Sequence, residues 1–152
     1  MIVTPHSADF AALLCASHRR LTGHDLVDPA LPPSDAARWL YDAAPFCVLA
    51  HDTQADPCFI YANLAAQTCF EYDWDEFIGL PSRLSAEAPN RDERDRLLAD
   101  VARQGYASGY RGLRIAKSGR RFWIEDVTVW NLVDAAGLRL GQAATYRRIT
   151  PA

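Results

Sequence analysis

Residues 120–149, RRFWIEDVTVWNLVDAAGLRLGQAATYRRI, limit the fold more than any other stretch of the chain. Two arms rich in aromatic and branched residues flank Asp134-Ala135-Ala136-Gly137, with Gly137 suited to a positive φ in a turn. The reading is a long β-hairpin. Asp126 and Thr128 fall on the same alternation as Phe122, Ile124, Trp130 and Leu132, whereas Trp123, Val127 and Val129 occupy the other. One phasing puts a carboxylate inside, where it must be paired, hydrogen-bonded or neutralised; the other leaves it in water. Both phasings place aromatics inward, so alternation alone leaves the choice open.

Upstream, the chain reads as helix, helix, hairpin, a helical middle, and then this antiparallel run. Ser7 is a candidate cap for a helix that carries Phe10, Leu13, Leu14 and Leu21 at helical spacing and stops at Gly23. Pro29, Pro32 and Pro33 mark a linker, after which Ser34 is expected to cap a helix over 35–44. Residues 46–50 are a continuous apolar run, as in a strand buried on both faces, and 58–62 return antiparallel to it. Asn63 caps the next helix, Asp73 and Glu76 form a capping box, and Asn90 with Glu93 is expected to open the strongest helix of the chain. Its stripe is Leu97, Leu98, Val101 and Ala102, with Gly105 as the stop. Arg91, Arg94 and Arg96 alternate with Asp92, Glu93 and Asp95 and read as a solvated face. A strand from Tyr110 to Ala116 and a turn at 117–119 lead into the hairpin. The fold class is α+β, with residues 1–33 as an N-terminal helix and Pro-rich linker and 34–152 as the main domain.

Composition narrows the function classes. With 152 residues, 49% hydrophobic and 23% charged, one domain can bury a real core. A net charge of −3 gives no electrostatic reason to expect nucleic acid or an anionic membrane as partner. No apolar run reaches membrane-spanning length, and a cytoplasmic location is the expectation. The four cysteines stand singly, without metal-ligand spacing, and Cys47 and Cys69, in apolar surroundings, read as buried thiols packed as small hydrophobes. No nucleophile elbow, phosphate loop or His-Glu-x-x-His occurs, and adjacent Glu125 and Asp126 would point to opposite faces of a strand. A non-enzymatic role is expected.

The order and local sequences resemble the PAS fold. The signs are Tyr61-Ala62-Asn63-Leu64-Ala65-Ala66, Trp74-Asp75-Glu76-Phe77-Ile78-Gly79, Lys117-Ser118-Gly119, Phe122-Trp123-Ile124-Glu125 and Asn131-Leu132-Val133-Asp134. A closer resemblance is to the PAS-related MEKHLA family. That likeness rests on 80–87 (LPSRLSAE), Arg120-Arg121-Phe122, Val129-Trp130-Asn131-Leu132 and Gly141-Gln142-Ala143-Ala144, and covers about residues 36–150. The resemblance implies a five-stranded antiparallel sheet in the order 2-1-5-4-3, with helices on one face and extra N-terminal helices. It also implies a sensory or ligand-binding module with a small molecule between sheet and helices. The candidate ligand-binding residues are Asn63, Arg83, Asp126, Thr128, Trp130, Gln142 and Tyr146. In one alternative Asp126 pairs internally with Arg83 or Arg114.

Residues 79–84 (GLPSRL) also resemble the segment bearing the photoactive cysteine of light-sensing LOV domains. Ser82 stands at the cysteine position, so adduct chemistry there is lost while non-covalent flavin stays open. Haem is disfavoured because residues 63–150 contain no histidine. A homodimer is expected, and a competing reading is an interaction module with a filled core. In it Phe10, Leu13, Leu14 and Leu21, with Trp123 and Val129, would form the outer contact.

Overall fold

The computed structural model describes residues 2–152. Helix α1 (Ala8–Thr22) and helix α2 (Pro33–Asp42) precede strands β1 (Cys47–His51) and β2 (Phe59–Ala62). The middle holds α3 (Leu64–Phe70), α4 (Trp74–Phe77), a 3-10 turn at Ser82–Ser85 and α5 (Ala88–Gln104). Strands β3 (Tyr106–Ile115), β4 (Arg121–Val133), β5 (Arg139–Tyr146) and β6 (Arg148–Pro151) complete the chain. The sheet order is β2-β1-β5-β4-β3, the order the resemblance implies, with a short β6 added beside β4.

The opening hairpin forms as its residues dictate. Asp134 Oδ1 accepts from the N–H groups of Ala136 and Leu138, both at 2.9 Å, and Gly137 takes φ 87°. The return arm differs from a single strand. β5 pairs with β4 from Thr128 to Val133, and β6 pairs with it from Phe122 to Glu125. The sheet therefore has a sixth strand.

Both faces of the sheet are covered. On the inner face, Leu49, Phe59, Phe122, Ile124, Val127 and Val129 pack with Phe70, Phe77 and Val101 from the helical middle. On the outer face, Val48, Ala50, Tyr61, Trp130 and Leu132 pack with Phe10 and Leu14 of α1 and Leu40 and Tyr41 of α2. Burying side chains of this size stabilises by about 1.5–3 kcal/mol each. The apolar stripe of α1 is thus spent inside the chain. Phe10, Leu14 and Val129 are almost fully buried, and the Arg111 guanidinium stacks 3.7 Å above the ring of Trp123. This corrects the outer contact expected of those residues. Position 33 marks a change from linker to helix within one packed body, since α1 rests on the same sheet as α2.

The phasing of β4 resolves in a way neither simple alternation anticipates. Gly112 pairs with Ile124 and Tyr110 with Val127, so two steps along β3 match three along β4. The extra residue is a β-bulge, and Asp126 within it takes φ 52°. A second irregularity follows, where Ala107 pairs with Val129 and three steps of β3 match two of β4. Gly109, at φ 72°, lies in it. Phe122 and Ile124 therefore face inward before the bulge and Val127 and Val129 after it, while Asp126 is turned to water.

Two helix starts also differ from expectation. Pro33 and Pro89 open α2 and α5 close to their first residues, which places Ser34 and Asn90 inside the helices rather than at their caps. Asn63, Asp73 and Gly105 act as expected: Asn63 accepts from Ala66 N–H, Asp73 and Glu76 complete a capping box, and Gly105 donates to Val101.

Candidate functional site

Between the inner sheet face and α5 lies a cavity of about 50 Å³. Its apolar wall comes from Leu49, Phe59, Phe70, Leu97, Leu98, Ile124, Val127 and Val129. Its polar groups are His51, Ser85, Arg94, Tyr110, Arg114, Gln142 and Tyr146. Of the seven candidate ligand-binding residues, this brings together Gln142 and Tyr146 alone.

Gln142 is 2% exposed and spends its amide N–H groups on Leu98 O at 2.9 Å and Asn131 Oδ1 at 3.2 Å. Asn131 in turn donates to Val101 O at 3.0 Å, so the pair fastens β4 and β5 to α5. Tyr146 lies 3.7 Å from Cys69 Sγ, and burial pushes its phenol well above the usual range. Cys47 lies in the same apolar cluster. Its hydrogen bond with Cys69, then burial, raises its thiol, which stays protonated.

The other five candidates lie elsewhere. Asn63 is wholly buried but consumed by the fold. Its Oδ1 accepts from Val48 N–H (3.0 Å) and Ala66 N–H (3.1 Å), and its Nδ2 donates to Leu40 O and Phe46 O. Arg83 is exposed and pairs with Asp56 at 3.2 Å rather than with Asp126. Trp130 belongs to the outer core, with His18 edge-on at 4.8 Å. Asp126 and Thr128 line an open outer cleft of about 330 Å³ together with Glu125, Arg147 and Arg148. There the charged groups largely satisfy one another, since Glu125 holds both Arg111 (2.7 Å) and Arg148 (3.3 Å). The bulge is the physical reason: it rotates Asp126 out of the inner face.

Five polar groups at the cavity were not among the candidates: His51, Ser85, Arg94, Tyr110 and Arg114. His51 is 8% exposed, and its Nδ1 donates to Asp52 O at 3.0 Å, leaving Nε2 buried without a partner among the described residues. Burial, helped by the nearby Arg94 charge, lowers its pKa to about 4, so the ring is neutral with an acceptor nitrogen. Arg94 and Arg114 are 6% and 7% exposed. Arg94 does not belong to a solvated face: it begins the buried row that continues through Leu97, Leu98 and Val101. That spacing of i, i+3, i+4, i+7 was the available signal. Arg114 donates to Leu113 O at 2.9 Å and Tyr110 Oη at 3.3 Å, and Tyr110 donates onward to Glu93 at 3.1 Å. Gly112 makes room for this arrangement, because a Cβ there would come within 2.5 Å of Tyr110 Oη and 2.8 Å of Arg114 Nη1.

The model of the MEKHLA domain matches residues 8–151. The chain belongs to the MEKHLA domain family. The match takes in α1, consistent with the burial of that helix against the sheet. Solved structures similar to this MEKHLA chain are PAS and light-oxygen-voltage domains. A PAS domain of a protein from Colwellia psychrerythraea superposes with TM-score 0.60 at 21% identity, covering 72% of this chain and 91% of that one. A light-oxygen-voltage domain studied with a flavin analogue gives 0.57 at 17% identity, covering 70% and 76%. An RNA-binding light-oxygen-voltage receptor gives 0.65 at 23% identity, covering 83% of this chain but 35% of the receptor. Identities this low establish the fold and nothing finer. No curated protein matches the sequence at a significant level.

A flavin does not fit this MEKHLA domain as folded. Sites for molecules of that size enclose about 300–1,000 Å³, against the 50 Å³ here. Ser82, at the LOV cysteine position, does not line the cavity. Among the described residues no cluster of three or more His, Cys, Asp or Glu is placed to hold a metal, and no helix is long and apolar enough to cross a membrane.

Proposed function

We propose that this MEKHLA domain is a sensory module that binds a small molecule between its inner sheet face and α5, with no catalysis of its own. The observation that carries the reading is the cavity itself. It is apolar on most sides, yet His51, Arg94 and Arg114 converge on it from β1, α5 and β3. Buried polar groups converging on an apolar pocket are the usual form of a ligand site. The volume of about 50 Å³ restricts the ligand to a handful of heavy atoms, since about 10–15 Å³ of such cavity space already holds one water.

Signal output follows from the same geometry. The cavity touches α5, which is fastened to the sheet through Gln142 and Asn131 at its C-terminal half. A ligand that draws Arg94 toward it bears directly on that helix. A mass spectrum of the small molecules released when the purified protein is denatured, with an absorbance scan beforehand, tests the proposal. The expected result is a small retained metabolite and no flavin or haem bands. Absence of any released molecule, together with no stabilisation by a metabolite panel, would overturn it.

A further inference from the structure

The cavity carries an unusual electrostatic imbalance. Arg94 and Arg114 are both more than nine-tenths buried, and no aspartate or glutamate is among the residues lining the space they share. The nearest carboxylate to Arg94 is Asp95 at 3.5 Å, itself 65% exposed. Arg114 reaches Glu93 only through the Tyr110 hydroxyl. Burial and the neighbouring Arg114 charge lower the Arg94 pKa to about 10, still far above neutrality, so its guanidinium keeps the charge that arginine side chains carry in proteins. Two like charges held out of water without a buried counter-charge are strongly unfavourable, and a matched anion would relieve them. His51 supplies no such charge, because its ring is neutral. Its unpartnered Nε2 is an acceptor and calls for a donor.

We propose that the cavity takes a small carboxylate of two to four carbons. Its oxygens are held by the guanidiniums of Arg94 and Arg114, and a hydroxyl group on it donates to Nε2 of His51. This rests on the reading of the cavity as the ligand site and adds the chemical class. The planar guanidinium fork matches the two oxygens of a carboxylate. The walls of Leu98, Ile124 and Val127 suit a short alkyl remainder, which inorganic phosphate lacks. The volume excludes longer acids.

The test is thermal unfolding of the full chain titrated with sodium glycolate, lactate, acetate, the neutral isostere glycolamide, or inorganic phosphate, at constant ionic strength. The expected result is a rise in Tm that grows with the logarithm of ligand concentration and reaches about 5–10 °C at a hundredfold excess over Kd. Glycolate or lactate should act at lower concentration than acetate, and glycolamide and phosphate should not act. Arg94→Gln and Arg114→Gln should each raise the concentration needed for a given rise in Tm tenfold or more while keeping the far-UV circular dichroism of the parent. Arg94→Lys, which keeps charge and loses the fork, serves where a glutamine variant fails to fold and should also weaken the response.

Equal action of glycolamide, action of phosphate alone, an unchanged response in the arginine variants, or no response to any of these acids would each overturn the carboxylate. Equal potency of acetate and glycolate would remove His51 from the site. A neutral metabolite released on denaturation would overturn the carboxylate and leave the ligand-binding reading standing, so the two fail separately.

Discussion

Ile124 and Val127 face the same core although three positions separate them in one strand. The bulge between them places Asp126 at φ 52° in the left-handed region, which L-residues adopt at a cost and which Asp and Asn tolerate better than most. Replacing Asp126 by a branched residue should therefore destabilise the domain. Asp126→Val is expected to lose about 1–2 kcal/mol, and Asp126→Gly to stay within about 0.5 kcal/mol of the parent. Urea unfolding of the two variants checks this. Equal losses for Val and Gly would mean that the carboxylate, rather than the backbone, matters there.

Asn63 ties α3 to the segment entering β1. Its four hydrogen bonds reach Val48, Ala66, Leu40 and Phe46, all at 2.9–3.1 Å and all buried. Asn63→Ala would strand several buried polar groups, each worth about 1–3 kcal/mol when left unpaired. A loss of about 3 kcal/mol or more is expected in equilibrium unfolding. A loss below about 1 kcal/mol would show that Asn63 is free for another role.

Leu14 lies on the stripe of α1 that covers the outer sheet face and is wholly buried there. Leu14→Ala should cost about 3 kcal/mol, within the range for such truncations, and leave the oligomeric state of the parent unchanged. Light scattering coupled to size exclusion, alongside urea unfolding, reads both. A changed oligomeric state with unchanged stability would assign α1 to a partner instead of the sheet.

His51 should make stability depend on pH. Its folded-state pKa of about 4 lies below the value near 6.5 of an exposed histidine, chiefly through burial. Between those values the unfolded chain binds the extra proton, so stability falls as pH drops from about 6.5 toward 4. The total is of order 3 kcal/mol. His51→Gln should flatten that slope, most clearly between pH 5 and 6.5, above the titration of the depressed surface carboxylates Glu71, Glu76 and Glu87. Parallel curves for parent and variant would contradict the buried, neutral state of His51.

Local chemistry made much of this legible in advance. The Asn63 cap, the Asp73–Glu76 box and the Gly105 stop each depend on neighbours within a few residues, and each forms as read. The fold resemblance supplied the sheet order. The errors come where distant residues decide. The bulge at Asp126 depends on how β3 registers against β4, so an alternation count along one strand passes over it. Arg94 was masked by the acids on either side of it, although Leu97, Leu98 and Val101 follow at helical spacing. Charge alternation describes sequence neighbours, whereas burial follows the helix face. Pro33 and Pro89 moved two helix starts because a proline suits the first turn better than the polar residue after it suits the cap. The site fared worse than the fold for one reason. Five of the seven candidates were chosen on the assumption of an unbroken strand or of family position and lie outside the cavity, whose polar lining includes His51, Arg94 and Arg114 beside Gln142 and Tyr146.

The central claim is that a small carboxylate sits between the inner sheet face and α5. The most direct measurement is a ¹H–¹⁵N correlation spectrum of the domain titrated with glycolate. The account predicts saturable shifts concentrated at the backbone of Leu97, Leu98, Arg114 and Gln142, and in the side-chain guanidinium signals of Arg94 and Arg114. Saturable shifts confined to the outer cleft around Asp126, Thr128 and Arg147, or no saturable shift at the cavity residues, would contradict it.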